Sequence, residues 1–365
     1  MNTKSIENIK NFLNKDITKS KINGRVMSLF LKQLSLLISS GIALDKSLRI
    51  IENQKLDKNL SKALARVNYD LAKGLSINEA FNNNKKFFNP MLVAFIKSGE
   101  NSGQMAKVLD ELSTYIQKES KNKNIIKQAM TYPIILLIIM VIVVAIVINF
   151  VLPSFLSVFE SYDSKLPLAT RILLGTYAFF KDYSPFILAI IFALILSIFL
   201  LRKDEQARLG VDKFLFLKTP FFSYRRLGLE YQLTSLFYIL KAGDVGIISS
   251  LSIIRESFKN TYIKEIITNI IALLESGHSL SASLEHEKIF SPLLISMIRI
   301  GEDSGQMKEA LKKSSDYFAT DYIYKLNYLS KMAEPVMIII MSLLVAFVVL
   351  AIALPIFDSV NGLNI

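Results

Sequence analysis

The chain carries one segment twice. Gly99-Glu100-Asn101-Ser102-Gly103-Gln104-Met105 returns as Gly301-Glu302-Asp303-Ser304-Gly305-Gln306-Met307, 202 positions later. The same offset takes Phe88 and Pro90 to Phe290 and Pro292, Met130 and Pro133 to Met332 and Pro335, and Leu152-Pro153 to Leu354-Pro355. A long repeat with fixed punctuation is one structural unit used twice. Each copy ends in an apolar run long enough to cross a bilayer, so the fold has to place two like polar modules on one membrane scaffold.

Three apolar runs stand out among 365 residues, of which 52% are hydrophobic: 134–152, 185–201 and 336–357. A helix needs about 20 apolar residues to span the hydrocarbon core, and each run meets or approaches that. The first holds one strongly polar residue, Asn149; the other two hold only Ser197 and Ser342. Intramembrane charges ordinarily mark ion or substrate paths, and these runs have none, which speaks against a channel or transporter.

Charge sets the orientation. Residues 1–132 carry 22 Lys+Arg against 11 Asp+Glu, residues 202–334 carry 18 against 16, and the loop 153–184 carries three of each. Basic residues close to spans stay on the cytoplasmic side, so both large polar segments belong there, with the loop 153–184 and the C-terminus outside. The total of +12 follows this rule and suits anionic lipid; it does not call for nucleic acid. There is no cysteine, so disulfides and thiolate metal sites are excluded.

Apolar spacing in both modules is helical. Gly41 and Gly74 close helices, Ser76 can cap one, and Pro90 suits a first turn. Gly99 is expected to stop one helix and Ser102 to cap the next. The fold class is therefore all-α: an integral membrane protein with two repeated cytoplasmic six-helix bundles and three transmembrane helices. Its expected segments are a polar leader 1–25, a first bundle 26–128, spans 131–153 and 183–202 flanking an external loop 154–182, a connector and second bundle 203–332, a third span 335–357 and an external tail 358–365.

Catalytic chemistry is sparse. No phosphate-binding G-x-x-x-x-G-K-[ST] loop occurs among the 14 glycines. The only histidines are His278 and His286, the latter between Glu285 and Glu287. This excludes common enzyme sites and leaves no catalytic, cofactor or metal residue to name. The candidate residues are instead the duplicated turns: Gly99, Glu100, Ser102 and Gly103, and Gly301, Glu302, Ser304 and Gly305. Their glycines permit a tight reversal, and their glutamates sit near a positive helix end, which favours an anion. They serve either as structural turns or as docking surfaces for a basic partner. Pro133 and Pro335 are candidate hinges at the membrane face, since proline removes a helical hydrogen bond and bends the rod. The alternative is that each proline merely separates two helices.

These turns, Met130-Thr131-Tyr132-Pro133 and Glu334-Pro335 before the spans, Pro153 and Pro355 at their far ends, and the opening Phe30-x-x-Gln33-Leu34-x-x-Leu37-x-x-x-Gly41-Ile42-x-Leu44 resemble the hallmarks of a known family. It is the type II secretion system F / type IV pilus inner-membrane platform protein family. The resemblance covers about residues 25–358. Ala43 departs from it where a proline is common, and Gly243-Asp244-Val245-Gly246 is an odd second opening with an extra residue before Leu251. The resemblance implies a non-enzymatic role without cofactors. It also implies cytoplasmic six-helix modules set against a hexameric assembly ATPase, which couple its motion to the insertion of pilin or pseudopilin subunits into a filament. Partners implied in the same way are other inner-membrane assembly proteins, membrane lipid and further copies of the chain in a homo-oligomer.

Overall fold

The computed structural model describes residues 22–146, 205–219 and 222–361. The expected leader up to residue 21, the end of the expected first span (147–153), the loop expected to be external, the second expected span and the last four residues lie outside the described residues. Among the described residues there are helices and no strand. The first repeat supplies α1 (Gly24–Ser39), α2 (Leu44–Asn53), α3 (Lys58–Ala72), α4 (Ile77–Asn83), α5 (Pro90–Ser102) and α6 (Met105–Ile146). The connector holds α7 (Glu205–Leu217). The second repeat supplies α8 (Phe222–Ala242), α9 (Ile247–Ser257), α10 (Thr261–Glu275), α11 (Leu280–His286), α12 (Pro292–Asp303) and α13 (Met307–Asn361).

These residues form two compact units. One joins the described residues up to Lys121 with Asp212–Tyr322, and so holds the bundles of both repeats. The other joins the described residues of Asn122–Val211 with those from Ile323 on. In the second unit α6 and α13 are apolar and long enough to cross a membrane.

The helices begin where short polar side chains meet free backbone N–H groups. Asn23, Asp57, Ser76 and Asn89 cap α1, α3, α4 and α5; Asn260, Ser279 and Ser291 cap α10, α11 and α12. Ser76 and Glu79 form a full capping box. Helices end on left-handed residues, which glycine adopts without strain. Gly41 (φ 81°) follows α1, where its N–H reaches the Ile38 carbonyl and the Ile42 N–H reaches that of Leu37.

The end of α8 shows what the odd second opening does. There the Asp244 N–H reaches the Lys241 carbonyl and the Val245 N–H that of Leu240. The left-handed position therefore falls on Asp244 (φ 57°), not Gly243. The offset between repeats is 203 here, and Gly243 answers to Ser40. A Cβ on Gly243 would lie 2.6 Å from Cγ2 of Val108 in α6. The glycine is required by close approach of the first bundle rather than by the turn.

The apolar faces of both bundles merge into one buried cluster. In the first repeat it is aromatic: Phe30, Phe81, Phe88 and Phe95 are fully buried, and the rings of Phe81 and Phe88 lie 4.8 Å apart. In the second it is largely aliphatic, with Ile254, Ile263, Ile266, Ile267 and Ile270 buried together with Leu251 and Leu294. Helix α7 packs on the second bundle through Phe216, whose ring meets Phe222 edge-on at 5.9 Å. Asp212 there accepts the Thr261 N–H at 2.7 Å.

Candidate functional site

The duplicated turns are built differently from the sequence expectation. Gly99 and Gly301 do not stop their helices: α5 runs on to Ser102 and α12 to Asp303. Both glycines serve close packing instead. A Cβ on Gly99 would lie 3.0 Å from Cα of Met105, and one on Gly301 2.6 Å from Cβ of Ala310. The reversal falls on Gly103 (φ 66°) and Gly305 (φ 67°). Ser102 is the last residue of α5 and Ser304 the C-cap of α12. Their hydroxyls accept the N–H of Gln104 and Gln306, each at 3.4 Å, so they steady the turn rather than cap a first helical turn.

The two glutamates part company. Glu302 accepts the N–H groups of Leu280 and Ser281, the latter at 2.9 Å. It thus closes the N-terminus of α11 rather than that of the following helix. Glu100 is exposed and its carboxylate has no partner among the described residues. The reason is legible in the neighbouring caps. In the first repeat Glu79 already accepts the Ser76 N–H at 2.9 Å, and those bonds hold its carboxyl below the usual range. In the second repeat the matching position is Ala282, and Glu302 supplies the missing carboxylate from another helix. Glu230 in α8 does the same for α12: it is buried and accepts the Ser291 N–H.

A second arrangement escaped the sequence reading: the seam between the bundles. Tyr238 in α8 donates to Oε1 of Glu111 in α6 at 2.9 Å. The Tyr115 ring lies 6.1 Å from that of Tyr231, which stacks on Tyr322 at 5.4 Å and 18°. Tyr322 also stacks on Tyr224, and their hydroxyls are 3.0 Å apart. Burial, with Glu111 adding to it, pushes the Tyr238 phenol up to about 12; burial also raises Tyr115 and Tyr322. Lys118 stands 4.0 Å from Asp316 across a cleft of about 250 Å³. The available signal was the seven-residue spacing of Tyr224, Tyr231 and Tyr238, which puts three phenols on one face of α8.

Pro133 and Pro335 lie within continuous helices: α6 and α13 run through them. Neither proline separates two helices. Thr131 Oγ1 donates to the Lys127 carbonyl at 2.9 Å, one turn ahead of Pro133. The histidines make local contacts. His278 lies 3.2 Å from the Leu273 carbonyl, His286 lies 3.8 Å from Glu287, and Glu285 pairs with Arg299 at 2.7 Å. Among the described residues no three His, Cys, Asp or Glu side chains converge on a metal-sized site.

Comparison with known proteins matches both repeats to one family model. The model for "Type II secretion system (T2SS), protein F" fits residues 30–153 and again 233–355. A type IV pilus assembly protein PilC of Thermus thermophilus is 27% identical over 341 residues, covering 93% of this chain and 84% of its own length. The type II secretion system protein F of Aeromonas hydrophila is 27% identical over 343 residues, covering 93% and 87%. The PilC of Pseudomonas aeruginosa is 27% identical over 345 residues, covering 93% and 91%.

Proposed function

This chain belongs to the type II secretion system protein F family, and from that premise we propose that it is a non-enzymatic inner-membrane platform of a pilus or secretion machine. In this reading a hexameric assembly ATPase displaces the cytoplasmic bundles. The long helices α6 and α13 pass that motion to membrane spans that meet the apolar helix of a pilin or pseudopilin, leading to its insertion into the filament. The observation that carries it is the duplicated design: each bundle ends in a helix that continues unbroken into an apolar stretch of membrane length. At about 1.5 Å per residue the 42 residues of α6 reach roughly 60 Å, enough to link a soluble module to a bilayer core.

The second span, 183–202, belongs to this proposal, as do the cytoplasmic placement of both bundles, the external C-terminus, the hinge role of Pro133 and Pro335, and a homo-oligomeric assembly with lipid and other inner-membrane proteins around it. Of the two turns, the first is the better docking site, because Glu100 is free to meet a basic surface while Glu302 is engaged at α11.

The test is co-purification of the full-length chain from its own cells in mild detergent. Recovery of an assembly ATPase and a pilin is expected, with Glu100→Lys lowering ATPase recovery and leaving the thermal melt unchanged. Deletion of the gene is expected to abolish filaments or secretion while ATPase and pilin levels stay normal. Unchanged filaments and unchanged secretion on deletion would overturn the reading.

A further inference from the structure

The connector helix α7 is apolar on two sides. One side is turned to the second bundle. Phe216 there is 5% exposed and meets Phe222, Asp212 accepts the Thr261 N–H, and the Lys213 ammonium lies 5.5 Å from the centre of the Tyr262 ring. These contacts fix the rotation of the helix about its axis. At helical spacing they leave the opposite stripe, Val211, Phe214, Leu215 and Lys218, turned away from the bundle.

That stripe is open to its surroundings. Phe214 is 63% exposed, Leu215 44% and Val211 40%. Three large apolar side chains side by side on one helix face mark an interaction site. Exposed basic residues flank them, Arg208 near one end and Lys218 at the other.

The place of α7 in the chain says what meets that face. Only Arg202, Lys203 and Asp204 separate the apolar run 185–201 from Glu205, the first residue of α7. Four residue steps reach at most about 14 Å, so α7 starts beside the point where the proposed second span leaves the bilayer. Over 202–218 Arg202, Lys203, Arg208, Lys213 and Lys218 outnumber Asp204, Glu205 and Asp212, and Asp212 is engaged at Thr261. An apolar stripe edged with basic residues is the pattern of a helix that lies in the membrane surface, and its charge suits the anionic headgroups of the cytoplasmic leaflet.

We propose that the outward face of α7 lies on the cytoplasmic leaflet, with Val211, Phe214 and Leu215 in the interfacial layer and Arg208 and Lys218 at anionic headgroups. Lipid rather than a protein covers the face, because lipid is what the chain has just left. The second bundle is then tied to the membrane surface through Phe216 and Asp212 as well as through α13. This deepens the lipid part of the proposed function and rests on the second span of that reading.

The chain has no tryptophan, so a single one placed in it reports alone. Phe214→Trp is made in the full-length protein, which is set in nanodiscs containing anionic lipid. The position is exposed, so the thermal melt is expected to hold. The emission should lie to the blue of an Ile300→Trp control, whose site is 66% exposed on α12. It should be quenched more by lipids brominated near the headgroup than by lipids brominated near the chain end. Quenching should weaken in discs of zwitterionic lipid alone, and Lys218→Glu should weaken it in anionic discs. Quenching indifferent to both changes would overturn the headgroup assignment. Red, unquenched emission from the Phe214→Trp chain would overturn the inference, and so would blue emission that no lipid quenches, which would put a protein on the face.

Ser197→Trp reads the second span separately. Quenching of that chain by deep bromines, with none in the Phe214→Trp chain, would leave the span standing and sink the inference. No quenching in either chain would sink both.

Discussion

The two bundles follow one plan but close their helices by different means. In the first, α4 is capped from within by Ser76 and Glu79, three residues apart. In the second, the corresponding N-terminus takes its carboxylate from Glu302 at the end of α12, and α12 takes one from Glu230 in α8. The first bundle uses contacts that a short peptide could make. The second uses contacts that exist only once three helices are in place. Local caps stabilise a helix as it forms, whereas cross-ties make several helices stand or fall together. The caps of the second bundle therefore couple α8, α11 and α12 to one another, while the cap of α4 depends on no other helix.

The largest effect should come from the packing glycines. Gly301→Val pushes a side chain against Ala310 and the Met307 backbone, and overpacking of this kind costs about 1–3 kcal/mol. Gly99→Val meets the Met105 Cα at 3.0 Å and its sulfur at 3.1 Å, with no neighbour as close as the 2.6 Å of Ala310 to Gly301, and should cost less. Thermal melts of the two variants would erase the comparison if they fell together.

Next comes Glu302→Ala, which strips two N–H groups at α11 and should cost about 1–2 kcal/mol. Ala282→Glu in that background should restore much of the loss by rebuilding the local box of the first repeat. Glu100→Lys, by contrast, should stay within about 0.5 kcal/mol. Equal losses at Glu100 and Glu302 would mean that the two turns are alike after all.

The seam responds to alkali. Tyr238 has its folded pKa raised from 10.0 to about 12. Its contribution is whole below pH 10 and is lost as pH climbs through about 12, because the phenolate is favoured by the unfolded chain. A melt series from pH 9 to 12 should show stability falling, and Tyr238→Phe should flatten that fall. Asp244→Gly acts in the opposite direction: it relieves a left-handed non-glycine residue and should stabilise by about 0.5–1 kcal/mol. No gain would show that the Asp244 side chain offsets its backbone strain.

Much of the fold was legible because it is written in periodicity. Leu60, Leu64 and Val67 mark α3 at helical spacing, and all three are buried; Pro90 and Ser76 mark helix starts and stand there. The turns misled because glycine has two uses. A glycine needed for left-handed backbone and one needed for close approach look identical in a sequence, so the repeat points to Gly99 as a stop although the stop is Gly103. The sequence sets Glu302 beside the helix that follows it, whereas its partner lies 22 positions away. The seam was hidden for the same reason: Glu111 and Tyr238 are 127 positions apart, and nothing local to either announces the other.

The prolines of α13 have a bearing on depth in the bilayer. A proline leaves the carbonyl four residues earlier without its helical donor, which here means Lys331 before Pro335 and Ala351 before Pro355. Hydrocarbon tolerates no unsatisfied backbone group, so each bare oxygen has to find water, a headgroup or a protein donor. The two oxygens are 20 residues apart, about 30 Å along a helix, and a bilayer core is about 30 Å thick. With α13 set across the membrane as proposed, the pair works as a gauge: it fixes how far the helix can slide along the membrane normal before a bare carbonyl is drawn into oil.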